Sequence, residues 1–184
     1  MRRWPPLLAA WIVWVAGGCG PAGDEPRAGW EVYAPPNGEY RVHYLSPPWR
    51  QDTPTSGTTL TLKVESNAER FVPDAALVVP PKYLLTVRVE EGAARARIDA
   101  ERADREAAGE TILAGPRSVT TAGGDAGWEL FGEYVLEGIP RYRRIVFLDR
   151  PGGGVVSLRF EANPELDEPQ IDQMVEGVEV EPET

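Results

Sequence analysis

One histidine, His43, and one cysteine, Cys19, stand among the 184 residues. Zinc sites draw chiefly on Cys and His, so His43 would need carboxylates alone to complete one. An intramolecular disulfide cannot form, and haem or iron–sulfur chemistry lacks its usual ligands. No cofactor and no metal are therefore expected. Carboxylates are the plentiful reactive group, with 29 Asp and Glu. A glycosidase-type pair needs two of them about 5–9 Å apart across a cleft. Glu129, Glu133 and Glu137 instead fall on one face of a single extended segment, about 13 Å per four residues, which reads as a solvated strand face. Asp149 lies beside a Gly-rich turn but lacks the regularly spaced oxygen ligands of a calcium loop. Gly152, Gly153 and Gly154 lack the following helix and Lys-Ser/Thr of a phosphate loop. No G-x-S-x-G elbow occurs. The chain reads as a non-enzyme; a carboxylate-dependent hydrolase is the least favoured alternative.

Three features suit contact rather than catalysis. Trp49 follows Pro47-Pro48, where the backbone is stiff and extended; it is either a contact residue or an aromatic cap on the open end of the core. Residues 75–81 (AALVVPP) carry Leu77, Val78 and Val79 between prolines, as a contact patch if exposed. Arg141, Arg143 and Arg144 are the densest positive spot, suited to a partner carboxylate or a lipid headgroup.

These residues must be held by a sheet. Tyr40, Val42 and Tyr44 alternate with Arg41 and His43. Leu60, Leu62 and Val64 alternate with polar residues, as do Tyr83, Leu85, Val87 and Val89. Trp128, Leu130, Tyr134 and Leu136 follow, then a dense apolar run over residues 142–148, then Val156, Leu158, Phe160 and Ala162. Period two with one polar face predicts an antiparallel sheet covered on one side. Gly138-Ile139-Pro140 and residues 149–154 (DRPGGG) read as hairpin connections, making residues 128–162 a three-stranded meander. A short seventh strand is expected at residues 118–121.

Two segments read as helices. Over residues 93–108, Ala93, Ala96, Ala100, Ala103 and Ala107 form a stripe at helical spacing, flanked by Ile98 and predicted to be the buried face. Opposite charges four apart (Arg95–Asp99, Arg97–Glu101, Glu101–Arg105, Arg102–Glu106) lie around it, and Gly109 is a stop. The second helix is predicted from Asp167 as N-cap, with Ile171, Met174, Val175 and Val178 buried. The fold class is α+β: an antiparallel sheet of six to seven strands with two helices packed on it.

The start of the chain is an address. Arg2 and Arg3 precede a short apolar run, residues 7–16, too short to span a bilayer. Ala16-Gly17-Gly18-Cys19 resembles the lipobox of bacterial lipoproteins, with Ala16 where Leu is commonest. The resemblance implies cleavage before Cys19, acylation of its thiol, and a stable membrane anchor through two or three chains. Residues 1–18 are then the signal peptide, 19–29 the lipidated cysteine and tether, 30–180 the domain and 181–184 an acidic tail. Plain secretion is the alternative. Gly20 rather than Asp after the cysteine implies an outer-membrane destination, on the periplasmic face, in a two-membrane host. Removing Arg2 and Arg3 takes the formal net charge from −10 to about −12, which disfavours nucleic acid as a partner.

From Trp30 onward the chain resembles the Mog1/PsbP-like fold. The resemblance rests on residues 40–49 (YRVHYLSPPW), the following helix, Gly127-Trp128-Glu129-Leu130-Phe131-Gly132, residues 142–146 and 155–162, and the closing helix. It implies an α/β/α sandwich and a mostly non-catalytic role, and residues 72–81 depart from the pattern. The leading expectation is a membrane-anchored accessory or binding module for another envelope protein. The alternative is a lipoprotein that binds a small apolar ligand between sheet and helix.

Overall fold

The computed structural model describes residues 28–52, 59–64, 82–162 and 168–180. Alternating apolar residues build the strands as expected. β1 (Trp30–Tyr33) pairs with β2 (Tyr40–Leu45), which buries Tyr40, Val42 and Tyr44 and leaves Arg41 and His43 half-buried. After the short β3 (Arg50–Gln51), the same alternation buries Leu60, Leu62 and Val64 on β4 (Leu60–Val64), and Tyr83, Leu85 and Val87 on β5 (Tyr83–Glu90).

The predicted meander is β7 (Ala126–Leu136), β8 (Ile139–Asp149) and β9 (Val155–Ala162), all antiparallel. Its first turn is tighter than expected. Glu137 (φ 52) and Gly138 (φ 80) alone connect the strands, as in the two-residue hairpins whose central positions both need positive φ. Ile139 and Pro140 thus belong to β8. The expected short strand at 118–121 is the end of a longer one, β6 (Thr111–Thr120), whose pairing with β7 is broken by register shifts around Gly115-Pro116.

Seven strands form one sheet in the order β3-β4-β5-β9-β8-β7-β6. β1 and β2 stand apart from it, in a three-stranded sheet completed by β10 (Glu179–Val180). The fold is α+β. The expectation of a sheet covered on one side is corrected: along β8 every residue from Arg144 to Leu148 is buried, as are Val155, Val156, Ser157 and Leu158 on β9. One face meets the small sheet and α2 (Glu168–Glu176) in the main apolar core, where Val146, Leu148, Val156, Leu158 and Phe160 meet Tyr40, Val42, Met174 and Val178. The other face lies under α1 (Ala94–Ala107), in a smaller core of Ala94, Ile98, Leu130, Ile145, Phe147 and Val155.

α2 buries Ile171, Met174, Val175 and Val178, the stripe read from the sequence, and the chain turns extended after Gly177. Its expected N-cap, Asp167, lies outside the described residues. α1 overturns the expected face. Ala96, Ala100, Ala103 and Ala107 are exposed, and the helix buries Ala94, Ile98 and Glu101 instead. Ile98 is the one large apolar residue in the helix and sets the inward face; Glu101 and Arg105 follow it inward because the strands beneath present arginines and glutamates there. No side chain of its own first turn caps α1. Asp149, at the end of β8, accepts the Ala94 N–H at 2.8 Å. At the other end Gly109 (φ 79) allows the Glu110 N–H to reach the Arg105 carbonyl and the Gly109 N–H the Glu106 carbonyl, a Schellman closure that needs positive φ.

Candidate functional site: two ion-paired clusters on either side of β8

Strand alternation sends Arg143 and Arg144 to opposite faces of the sheet, so the basic spot read from the sequence is split in two. Arg143 faces α1. Its guanidinium donates to Glu161 at 3.0 Å and to Glu110 at 2.9 Å. Glu110 also accepts from Arg105, which pairs with Glu101 one turn back; Glu101 accepts from Arg159 at 2.9 Å. Arg159 stands 3.4 Å from Glu90, which is closed by Arg97 and by the Ser157 hydroxyl at 2.6 Å. The result is a ladder of alternating charge, Glu161–Arg143–Glu110–Arg105–Glu101–Arg159–Glu90–Arg97, stitching α1 to β5, β8 and β9. Aromatic faces pad it: Arg143 lies 4.1 Å from the Tyr134 ring centroid, and Arg159 5.5 Å from that of Phe147.

Burial alone would raise the Glu90 and Glu101 carboxyl pKa values. Ser157, Arg159 and Arg97 outweigh it at Glu90, and Arg105 and Arg159 at Glu101, so both are held below the ordinary value of 4.5. Such carboxylates stay ionised and make poor proton donors. Tyr134 shifts the other way: burial and the neighbouring Glu161 raise its phenol, which donates to Glu161 at 3.0 Å.

Arg144 faces α2. It donates to Glu129 at 2.8 Å and to Asp172 of α2, and Arg117 of β6 reaches the same Glu129 from outside. Burial opposes the Arg144 charge, but Asp172 and Glu129 overcome it and hold its pKa above the ordinary value. Glu129 is only 5% exposed, which corrects its reading as part of a solvated face; β6 and α2 close over it. These side chains line a cleft of about 150 Å³ with Ala114, Phe131 and Ile171. Phe131 stacks on Tyr142 at 6.1 Å. A second, open depression of about 330 Å³ lies near the Schellman turn, lined by Glu110, Glu133 and Tyr134.

The proposed contact residues fare unevenly. Arg141 and Arg144 are buried and Arg143 nearly so, so the basic spot is not a free surface. Trp49 is 1% exposed, stacks on Tyr83 at 5.9 Å and donates to Gln170 at 2.9 Å. It is the core cap, and its reading as a contact residue is corrected. His43 is half-buried, 3.3 Å from Glu179. Cys19, Leu77, Val78 and Val79 lie outside the described residues. Among the described residues no group of three His, Cys, Asp or Glu is placed to hold a metal ion, and no described helix is long and apolar enough to cross a membrane.

Arg117, Asp172, Glu110 and Glu161 were not singled out in the sequence. Glu161 alternates with the apolar Phe160 and Ala162, and the pairing of Arg143 with Glu161 across β8 and β9 places both on the α1 face once the meander register is known. Nothing in the sequence marks Arg117, whose partner is fixed by the irregular β6–β7 pairing.

No protein-family model matches the sequence. No curated protein matches it either. A solved structure from Bacteroides thetaiotaomicron VPI-5482 is similar over 84% of this chain and 50% of that chain, at 11% identity and a TM-score of 0.49. This chain spans half the length of that protein, and a likeness at this level carries no argument about function.

Proposed function

We propose that the chain is a membrane-anchored, non-enzymatic envelope lipoprotein, exported and tethered through an acylated Cys19, whose domain acts as a binding or accessory module for another protein. The lipobox-like Ala16-Gly17-Gly18-Cys19 supports the anchor and the export. The observation that carries the non-catalytic role is the state of the clustered carboxylates. Glu90 and Glu101 are locked between arginines and held below the ordinary carboxyl range, whereas a hydrolase acid needs its pKa raised. The order of strands, helix, meander and closing helix supports a Mog1/PsbP-like sandwich as the finer description of the fold.

A small-ligand role has two depressions in its favour, the cleft beside Arg117 and Phe131 and the open one beside Glu133 and Tyr134. The cleft, at about 150 Å³, is below the roughly 300–1,000 Å³ of sites for drug-sized ligands; the other, at about 330 Å³, reaches that range but is open and lined largely by polar residues such as Glu110, Thr111 and Glu133. Neither is an enclosed apolar cavity of the kind a lipid-like molecule needs, so the protein-binding reading leads. In-situ crosslinking of the native lipoprotein in intact envelopes, with mass spectrometry of the captured species, tests it. Repeated capture of one protein, above a secreted control whose Cys19 is replaced by Ser, is the expected result. Failure of a well-expressed, correctly anchored sample to capture any protein overturns it.

A further inference from the structure

The apolar residues that the fold leaves in solvent gather at one end of it. Val135 (66% exposed), Leu136 and Ile139 crown the β7–β8 hairpin, three of the five exposed large apolar residues among those described. The register shows where that tip lies. Val64, Tyr83, Ala162, Tyr142, Glu133 and Thr111 form one transverse row across six strands. The hairpin runs on past this row from Tyr142 to Ile139, about 10 Å at strand rise.

The N-terminal end of the domain leaves from the same side. Trp49 stacks on Tyr83 of that row, and its N–H bonds the Leu45 carbonyl. Leu45 pairs with Trp30, and the Ser46 N–H bonds the Gly29 carbonyl. Gly29 and Trp30 therefore sit at the hairpin end. The opposite end holds the turn after Thr120, where the Ala122 N–H bonds Glu176 and Asp125 accepts from Val180, together with the turn after Asp149. Val64 and Lys82, which flank the segment containing Leu77, Val78 and Val79, also open on the hairpin end.

We infer that the β7–β8 hairpin tip is a membrane-seating surface that rests in the interfacial layer of the bilayer holding the protein's own acyl anchor. The inference rests on the lipoprotein reading above. Residues 20–28 reach at most about 30 Å when fully extended, so a chain leaving this end keeps the same end near the lipid. A few exposed aliphatic side chains on a tight turn suit shallow insertion, and a nearby anchor removes the need for strong intrinsic affinity. The contact is apolar rather than electrostatic, since Glu137 stands at the turn and the chain without Arg2 and Arg3 carries a net charge of about −12. The end bearing Ala122 and the turn after Asp149 then faces away from the membrane, toward a partner.

The test uses the full lipidated chain in phosphatidylethanolamine/phosphatidylglycerol vesicles. With Cys19 acylated, one introduced cysteine is the only free thiol. An environment-sensitive fluorophore is attached at Leu136→Cys, at Val135→Cys as a second tip position, or at Ala122→Cys at the far end, and lipid carrying a nitroxide acyl chain is added as quencher. The expected result is quenching several-fold stronger at both tip positions than at position 122, unchanged at raised salt. Flotation with the vesicles reads the anchor separately. A chain that fails to float overturns the lipoprotein reading and this inference with it. A chain that floats, with tip labels quenched no more than the label at 122, overturns this inference alone. A blue-shifted but unquenched tip label would place a protein surface there, a second copy or a partner, and overturn it equally.

Discussion

The two faces of the seven-stranded sheet are held by different physics. Under β2 and α2 the contact is mainly apolar, with Tyr40, Val42, Leu158, Phe160 and Met174 all fully buried, and it includes the charged cluster of Arg144 with Glu129 and Asp172. Under α1 the apolar core is small, and the rest of the contact is the ladder from Glu161 to Arg97. Burying apolar area is non-directional and tolerates small shifts. An ion-pair ladder fixes register and orientation but adds modest net stability, because each charge loses water on the way in. The small-sheet face supplies most of the stability; the α1 face sets where the helix sits.

That division can be broken by substitution. Phe160→Ala empties the apolar face and should cost about 3–5 kcal/mol in urea unfolding; a loss no larger than that of a ladder variant would refute the assignment. Gly127→Ala comes next. Gly127 lies against the Phe147 carbonyl and Leu148 so closely that an added methyl group must displace backbone, at about 1–3 kcal/mol. Within the ladder, Glu101→Gln leaves Arg105 and Arg159 short of a partner and should cost about 1–3 kcal/mol. Replacing Glu101 by Leu together with Arg159 by Met should recover most of that loss, since an apolar pair of similar volume often matches a buried ion pair. If the double variant is no better than Glu101→Gln, the ladder contributes more than orientation.

Acid titration separates the faces without mutation. The folded pKa values of Glu90 and Glu101 lie below their ordinary 4.5, so the unfolded chain binds their protons first. Their stabilisation is complete above about pH 4.5 and is lost as pH falls through the depressed folded values. Stability measured by thermal melting should therefore decline below that point, less steeply in Glu101→Gln than in the wild type. Smallest of all, Asp99→Ala removes the exposed Arg95–Asp99 pair and should change stability by only about 0.3–0.5 kcal/mol.

The same contrast decides what could be read from the chain. The apolar face was legible because period two marks β2, β4, β5 and β9, and the 3/4 spacing of Ile171, Met174, Val175 and Val178 marks α2. The α1 face was not. Five alanines at helical spacing outvoted Ile98 as a guide to orientation, although alanine carries too little apolar area to compete. Glu101 and Arg105 face the sheet for reasons that lie in β8 and β9, far along the sequence. β6 was half hidden by Gly115-Pro116, and with it went the cover over Glu129 and the place of Arg117. The separation of β1 and β2 from the main sheet leaves no mark in alternation, which reports a buried side but not which sheet it belongs to.

The Asp149 carboxylate that caps α1 has a consequence in time. A helix with its cap in its own first turn can begin as soon as that turn exists. Here the cap is 55 residues further along, at the end of the strand in the middle of the meander. When α1 emerges during synthesis its first N–H groups have only water, and a fourteen-residue helix on its own is marginal. The meander closes by local hairpins and brings Asp149 with it. The N-terminal cap of α1 is therefore complete only once a strand made after the helix is in place.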